Sequence, residues 1–421
     1  MNPSKDKFKL IIIGIFVFFI ILGLVAFSTY KSNNQTNNNV EINIWGTINK
    51  IIFDNYISKY KQNKNIEFNL TYTYKNLDTI DNELIEAMAT GKAPDAILIP
   101  HTLEKRYLDK VYMLTSIPER TFKDMFIQES NLYIQPTGIF ALPFFVDPLI
   151  MYWNKDIFLS AGIAIPPTKW TEFPLLAEKL SQSDENSNII KSAVSLGEFR
   201  NVDNAKAILS ALIMQTGNPI VSVDLKSQLN SQIDSALQFF TNYSNPKKVV
   251  YSWNRSLPSS KQFFLSGDLA IYFGFASEFN DIKEKNPNLN FDIAILPQIQ
   301  NTKTKITFGN LYGFSILKNS QNILQTYNLL SSLIGYDSVS ILINSMNIAP
   351  ARLDILSKGS SDPAKIIFYN SALISRGWID PDSKQTDKIF QNMTENITTG
   401  KTSIQESVSK ANAEMDNLLN R

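Results

Sequence analysis

From residue 40 onward the chain alternates between two periodicities, and that alternation restricts the fold more than any other feature. "VEINIWGT" (40–47) puts apolar side chains at every second position and stops at a glycine, as a strand does, while "NKIIFDNYISKYKQ" gathers Ile51, Ile52, Tyr56 and Tyr60 on one face of a helix. "NIEFNLTYTY" returns to period two, "DTIDNELIEAMATG" is helical with a glycine stop, and "DAILIP" is a short buried strand. Strands separated by helices predict an α/β fold with a mainly parallel sheet covered on both faces. Ligands of such sheets bind beyond the carboxyl ends of the strands, which makes Trp45, Gly46, Thr47, His101 and Thr102 candidate binding residues.

Later segments are richer in helix. "AKAILSALIMQTG", "QLNSQIDSALQFFTNYS" and "QNILQTYNLLSSLIGY" are expected as amphipathic helices, and "DLAIYFGF", "FDIAILPQ" and "YGFSIL" as strands. A chain of 421 residues exceeds one ordinary core, so two or more packed units are expected, the second helix-rich around a smaller sheet. No repeat of fixed period is present.

The first 39 residues carry an address. "MNPSKDKFK" (1–9) holds Lys5, Lys7 and Lys9 and precedes an uncharged apolar run at 10–27. As a helix that run extends roughly 27 Å, enough to span a hydrocarbon core. Lysines on its leading side favour a cytoplasmic N-terminus and an extracytoplasmic remainder, at the cell surface or in the periplasm. An uncleaved transmembrane anchor is the favoured reading; a cleaved signal segment, with Ala26 and Ser28 near the cut, is the alternative. The polar residues at 28–39, rich in asparagine, read as a linker.

Charge and composition narrow the function. Forty Lys and Arg nearly cancel 39 Asp and Glu, so no global field would draw the protein to nucleic acid. No cysteine is present, which excludes disulfides, thiolate metal sites, thiol catalysis and a lipidated cysteine anchor. His101 is the only histidine, and no HExxH, GxSxG or phosphate-cradling glycine loop occurs, so neither a metal nor a cofactor is expected. A two-carboxylate glycosidase stays open as the enzyme alternative, because such pairs meet in space rather than in sequence.

One stretch, "ALPFFVDPLIMYWNKDIF" (141–158), sets a single carboxylate, Asp147, in an apolar and aromatic run. Buried charge needs a partner, from the protein or from a ligand. Together with "GKAPDAILI", "AGIAIPPTKWTEF" and "FFLSGDLAIYF", in this order and spacing, the stretch resembles the family-one extracellular solute-binding proteins of ABC importers. The resemblance implies a two-lobed periplasmic-binding-protein fold, type II-like, closing on a sugar or related solute. It places residues 40–147 and about 313–347 in the first lobe, and 148–312 and about 348–421 in the second. It puts Asp147 at the hinge as an acceptor for sugar hydroxyls, with a hinge salt bridge as the rival reading.

Sugar rings also want flat apolar partners. Trp45 is the first candidate, Trp253 with Tyr251 the second and Trp378 the third, while Trp153 and Trp170 read as core. Phe273 and Phe275 stand where relatives carry a stacking tryptophan, His101 and Thr102 where they carry a carboxylate, and Tyr312 completes the set. The implied partners are a small carbohydrate and ABC permease subunits, and the implied state is a monomer. A sensory or scaffold module built on the same lobes is the alternative to import.

Overall fold

The computed structural model describes residues 40–64, 68–302 and 304–420. The apolar run at 10–27 and the linker after it lie outside the described residues. Among those described, no helix is long and apolar enough to cross a membrane.

Three parallel strands open the first lobe: β1 (Glu41–Gly46), β2 (Asn69–Tyr74) and β3 (Ala96–Pro100), in the order β2-β1-β3. The crossovers are helices α1 (Lys50–Lys64) and α2 (Ile80–Ala89). The 3.6-residue period decides which side chains they bury: Phe53, Tyr56, Ile57 and Tyr60 from α1, and Ile80, Leu84 and Ala87 from α2. β3 is buried at all five positions, as a strand covered on both faces must be.

Five further strands complete the frame: β4 (Leu142–Asn154), β5 (Ile189–Val194), β6 (Leu269–Phe275), β7 (Phe291–Ile295) and β8 (Thr307–Ile316). β8 runs antiparallel to β3, with Tyr312 opposite Pro100, and antiparallel to the first half of β4, with Leu311 opposite Val146. Beyond Pro148, β4 exchanges β8 for β6 and β7, so that Met151 faces Phe273 on one side and Ala294 on the other. β5 joins β6 in parallel. A proline in a central strand normally breaks the ladder, and Pro148 sits where β4 changes partners. The expected mainly parallel sheet is therefore parallel only at its flanks. Its centre is antiparallel because β4 and β8 traverse it in opposite directions.

Two further expectations shift. Ala349–Pro350, expected with the second lobe, pairs with Val146 and Phe145 on the first-lobe side of β4. Helix α3 (Ala205–Gln215), expected to be amphipathic, is buried at every position except Lys206. The reason is a cover over its outer face: α3 also packs against α4 (Asp234–Asn242) and α6 (Ser383–Thr398), while α7 (Ile404–Leu419) packs on α4 and α6 and α5 (Pro363–Leu373) lies on β4. Asp382 caps α6 by accepting from the Lys384 and Gln385 N–H groups at 3.1 and 3.0 Å.

Candidate functional site

A cleft of about 580 Å³ opens between the lobes, and one face of β8 forms its floor. Alternation along "TFGNLYGF" sends Phe308, Asn310 and Tyr312 to the same side, all three into the cleft. Tyr312 is held flat against Phe145, ring centres 4.6 Å apart at 14°. Phe275, at the end of β6, joins the floor with its ring 6.4 Å from Phe308. Its backbone is fixed at both ends, the N–H donating to Glu278 Oε1 at 2.9 Å and the carbonyl accepting from Tyr152 Oη at 2.6 Å. These rings are positioned before any ligand arrives.

The walls are polar. The first lobe contributes Thr102, just after β3, and the second contributes Asn204, Lys206, Asp387 and Gln391. Asn204 holds a left-handed conformation at the start of α3 (φ 61°), which asparagine tolerates better than most residues. Lys206 Nζ is 3.0 Å from Asp380 Oδ2, a carboxylate 1% exposed. Asp387, in the second turn of α6, is an exposed residue at the lip of the cleft, where what desolvation it meets pushes its carboxyl upward against the pull of Lys206. At the rim the lobes touch: Arg106 pairs with Asp81 of its own lobe and with Asp382 at the α6 cap (3.1 Å), and Lys384 Nζ donates to the Asp78 carbonyl at 3.1 Å.

Of the residues singled out from sequence, Thr102, Phe275 and Tyr312 line this cleft. Trp45 is half-buried, with the Lys75 ammonium 3.9 Å over its ring, so one face is already occupied by a cation. Gly46 is buried because Tyr72 fills the space a Cβ would need, and the Thr47 hydroxyl is buried beside β1. Three aromatic expectations, Trp253, Phe273 and Trp378, need correction, and a fourth, Tyr251, lies outside the cleft lining. Trp253 is 0% exposed and donates from Nε1 to Asn201 Oδ1 at 3.1 Å. Phe273 is also 0% exposed, packed on Trp170 at 5.5 Å. Trp378 stacks on Phe390 and donates to Ser210 Oγ at 3.2 Å. Tyr251 is half-buried, and its hydroxyl accepts from Asn254 at 2.8 Å. The hydrophobic area of Trp253, Phe273 and Trp378 is consumed by lobe packing, leaving the cleft to phenylalanine and tyrosine.

Asp147 finds its partner inside the protein. The Ser277 N–H donates to its Oδ1 at 2.9 Å, tying β4 to the turn after β6. Burial pushes its carboxyl up to about 7, with the Ser277 bonds opposing. It is not among the residues that line the cleft. His101 also points inward: its Nδ1 accepts the Leu311 N–H at 3.3 Å, and Glu129 Oε1 lies 4.0 Å away. Neither His101 Nε2 nor either Glu129 oxygen has a hydrogen-bond partner among the described residues. Burial, helped by the Lys206 charge, presses the imidazole down to about 3, and burial lifts the Glu129 carboxyl to about 8. Backbone closes over the pair at Gly309 and Gly377, where a Cβ would overlap Glu129 and His101.

Phe308, Asn310, Asn204, Lys206, Asp387 and Gln391 were missed by sequence reasoning. The first two had a signal, the period-two run of "TFGNLYGF"; the others lie on helices or helix starts whose cleft face has no local mark.

Residues 47–325 match the bacterial extracellular solute-binding protein family. This chain belongs to that family. A binding protein of Brucella abortus (strain 2308) is 24% identical over 227 residues, 51% of this chain; the chain spans about half (52%) the length of that relative. The cyclic α-maltosyl-1,6-maltose binding protein of Arthrobacter globiformis superposes with a TM-score of 0.75 at 14% identity, covering 90% of this chain and 99% of its own. A cyclo/maltodextrin-binding protein complexed with maltotetraose gives 0.73 at 14% identity, covering 92% and 98%. These likenesses establish the two-lobed α/β fold of the solute-binding proteins. The family is one of binding proteins, not enzymes.

Proposed function

We propose that this chain is a membrane-tethered, extracytoplasmic solute-binding protein that captures a carbohydrate between its lobes and delivers it to the permease subunits of an ABC importer, acting as a monomer. The observation that carries the reading is the cleft surface, where Phe275, Phe308 and Tyr312 lie between amide and hydroxyl groups. A pyranose has apolar C–H faces and a polar rim, and that arrangement meets both. The structural relatives support it, since their ligands include maltotetraose and mannobiose. The Asp147 carboxyl is read as a hinge staple, and the ligand contacts are assigned to Thr102, Phe275, Phe308, Asn310 and Tyr312. Lobe closure changes the surface offered to the permease, and the ligand drives it through better contacts in the closed form. The apolar run at 10–27 supplies the tether.

The test is a thermal-shift screen of the full chain against mono- and oligosaccharides, with amino acids, peptides and polyamines as controls. A ligand of the folded state raises the midpoint by mass action. A saturable rise with a saccharide, lost in Phe275→Ala and Tyr312→Ala, is expected; a rise with a control alone refutes the carbohydrate assignment. Cell fractionation with Met1 retained in the membrane pellet tests the tether, and a soluble form beginning near Thr29 refutes it.

A further inference from the structure

The polar groups facing the cleft differ in what they have left for a ligand. Lys206 has nothing: its ammonium is ringed by Asp380 Oδ2 and Ser383 O at 3.0 Å, Thr386 Oγ1 at 3.1 Å and Ser383 Oγ at 3.3 Å, more acceptors than it has protons. Arg200 gives Nε and one terminal nitrogen to the two oxygens of Glu395, at 2.6 and 3.1 Å. The same Glu395 takes the Gln391 amide nitrogen at 2.7 Å, which leaves Gln391 its oxygen. Asn204 donates from Nδ2 to Glu278 Oε1 at 3.1 Å and is left with Oδ1. The carboxylates fix both amide orientations, since a reversed amide would set oxygen against oxygen. Asp387 is the exception among the charged groups. Its carboxylate has no hydrogen bond or ion pair among the described residues, and it faces the cleft.

The cleft thus holds two cations each paired directly with a carboxylate and one carboxylate, Asp387, with no direct partner among the described residues, beside the Asn204 and Gln391 amides, which present oxygen, and the Asn310 amide, which can present either group. We infer that the cleft selects by charge, taking saccharides that are neutral or carry an amine and rejecting those that carry a carboxylate or phosphate, and that Asp387 determines the choice. This rests on the carbohydrate reading above. A hydroxyl or ammonium of the ligand gives Asp387 a charge-assisted hydrogen bond. An anionic group in the same place meets a like charge, and the Arg200 N–H groups left free to repay its lost hydration belong to a cation whose charge Glu395 already balances. The competing arrangement is an anion that draws Arg200 away from Glu395, and it requires a different residue to control the outcome.

The experiment is calorimetric titration of the full chain in detergent micelles with matched sets of probes. These are glucose, galactose and mannose, their 2-amino forms and their uronates, as monomers and linked dimers. In wild type the neutral or amino member of a bound set is expected to outbind its uronate by about tenfold or more, and Asp387→Asn to shrink that ratio by about tenfold. Asn is isosteric and the site lies at the lip, so the unliganded melting midpoint should stay put. A wild-type preference for uronate overturns the inference, as does an unchanged ratio in Asp387→Asn. So does a ratio that responds to Arg200→Gln in place of Asp387→Asn. Silence with every saccharide overturns the carbohydrate reading and this inference together, whereas saccharide binding with an unmoved ratio overturns this inference alone.

Discussion

Glu129 and His101 are each buried in the form that carries no charge, and the two titrate in opposite senses. Glu129 moves from 4.5 when unfolded to about 8 when folded, and His101 from 6.5 to about 3. Between about pH 4.5 and 6.5 the unfolded chain ionises both groups while the folded chain ionises neither. The proton counts then match, and the pair leaves stability flat. Above about 6.5 the unfolded Glu129 has lost a proton that the folded one keeps, so stability falls as pH rises toward 8. Below about 4.5 the unfolded His101 holds a proton that the folded one refuses, and stability falls toward pH 3. Glu104 (4.5 to about 8) and Asp147 (3.8 to about 7), both raised by burial, cost stability across those same ranges as pH rises, so Asp147's loss is complete by about pH 7 and, of the two, only Glu104's continues toward 8. Glu129→Gln is therefore expected to melt higher than wild type at pH 8 by an amount worth a few kcal/mol, and to lose that advantage at pH 5. Melting scans at the two pH values check it, and an equal offset at both would show that Glu129 is ionised in the fold.

At the scale of elements, Lys206 ties α3 to the start of α6, pairing with the buried Asp380 just before that helix and donating to Ser383 and Thr386 in its first turn. Removing one member of such a pair leaves a bare charge behind, so Lys206→Met should cost about 3–5 kcal/mol through the stranded Asp380, and the double variant with Asp380→Leu should recover most of that loss. Urea unfolding of the three variants measures the coupling. The α6 cap is worth about 1 kcal/mol by the same measurement in Asp382→Ala. How much of this could be read beforehand depended on how local the cause was. The strand and helix of residues 41–64 follow from spacing alone, because each buries one face against a neighbour close in sequence. The burial of α3 is set by α6, some 170 residues away by the Lys206–Asp380 pairing, and nothing in "AKAILSALIMQTG" announces a second cover. Tryptophans misled for a related reason: a large ring fits a lobe core or a sugar face equally well, and only the packing around Trp253 and Trp378 decides. Strand β8 was legible as far as Tyr312 and extends back to Thr307, and with that extension come Phe308 and Asn310.

Across the whole molecule the rim contacts of Arg106 and Lys384 exist only while the lobes meet. Exposed pairs contribute about 0.2–1 kcal/mol each and weaken with salt. Arg106→Ala is expected to shift the population toward the open form and to weaken ligand binding about two- to fivefold, with the loss shrinking above about 0.5 M salt. Solution scattering reads the first effect as a larger radius of gyration, and titration reads the second; an unchanged radius would show that closure does not depend on this contact. The frame behind the rim has a different consequence. β3 waits for β8, with Ala96 opposite Ile316, so the first lobe keeps an open sheet edge until most of the chain has been made. A ribosome or a translocation pore releasing this protein N-terminus first would hold an unfinished lobe until Ile316, of 421 residues, had emerged. The second lobe waits longer still: β5 and β6 pair within that interval, but α6 and α7 (383–419), which cover α3 and α4, leave last, so it lacks its full cover until the C-terminus is out.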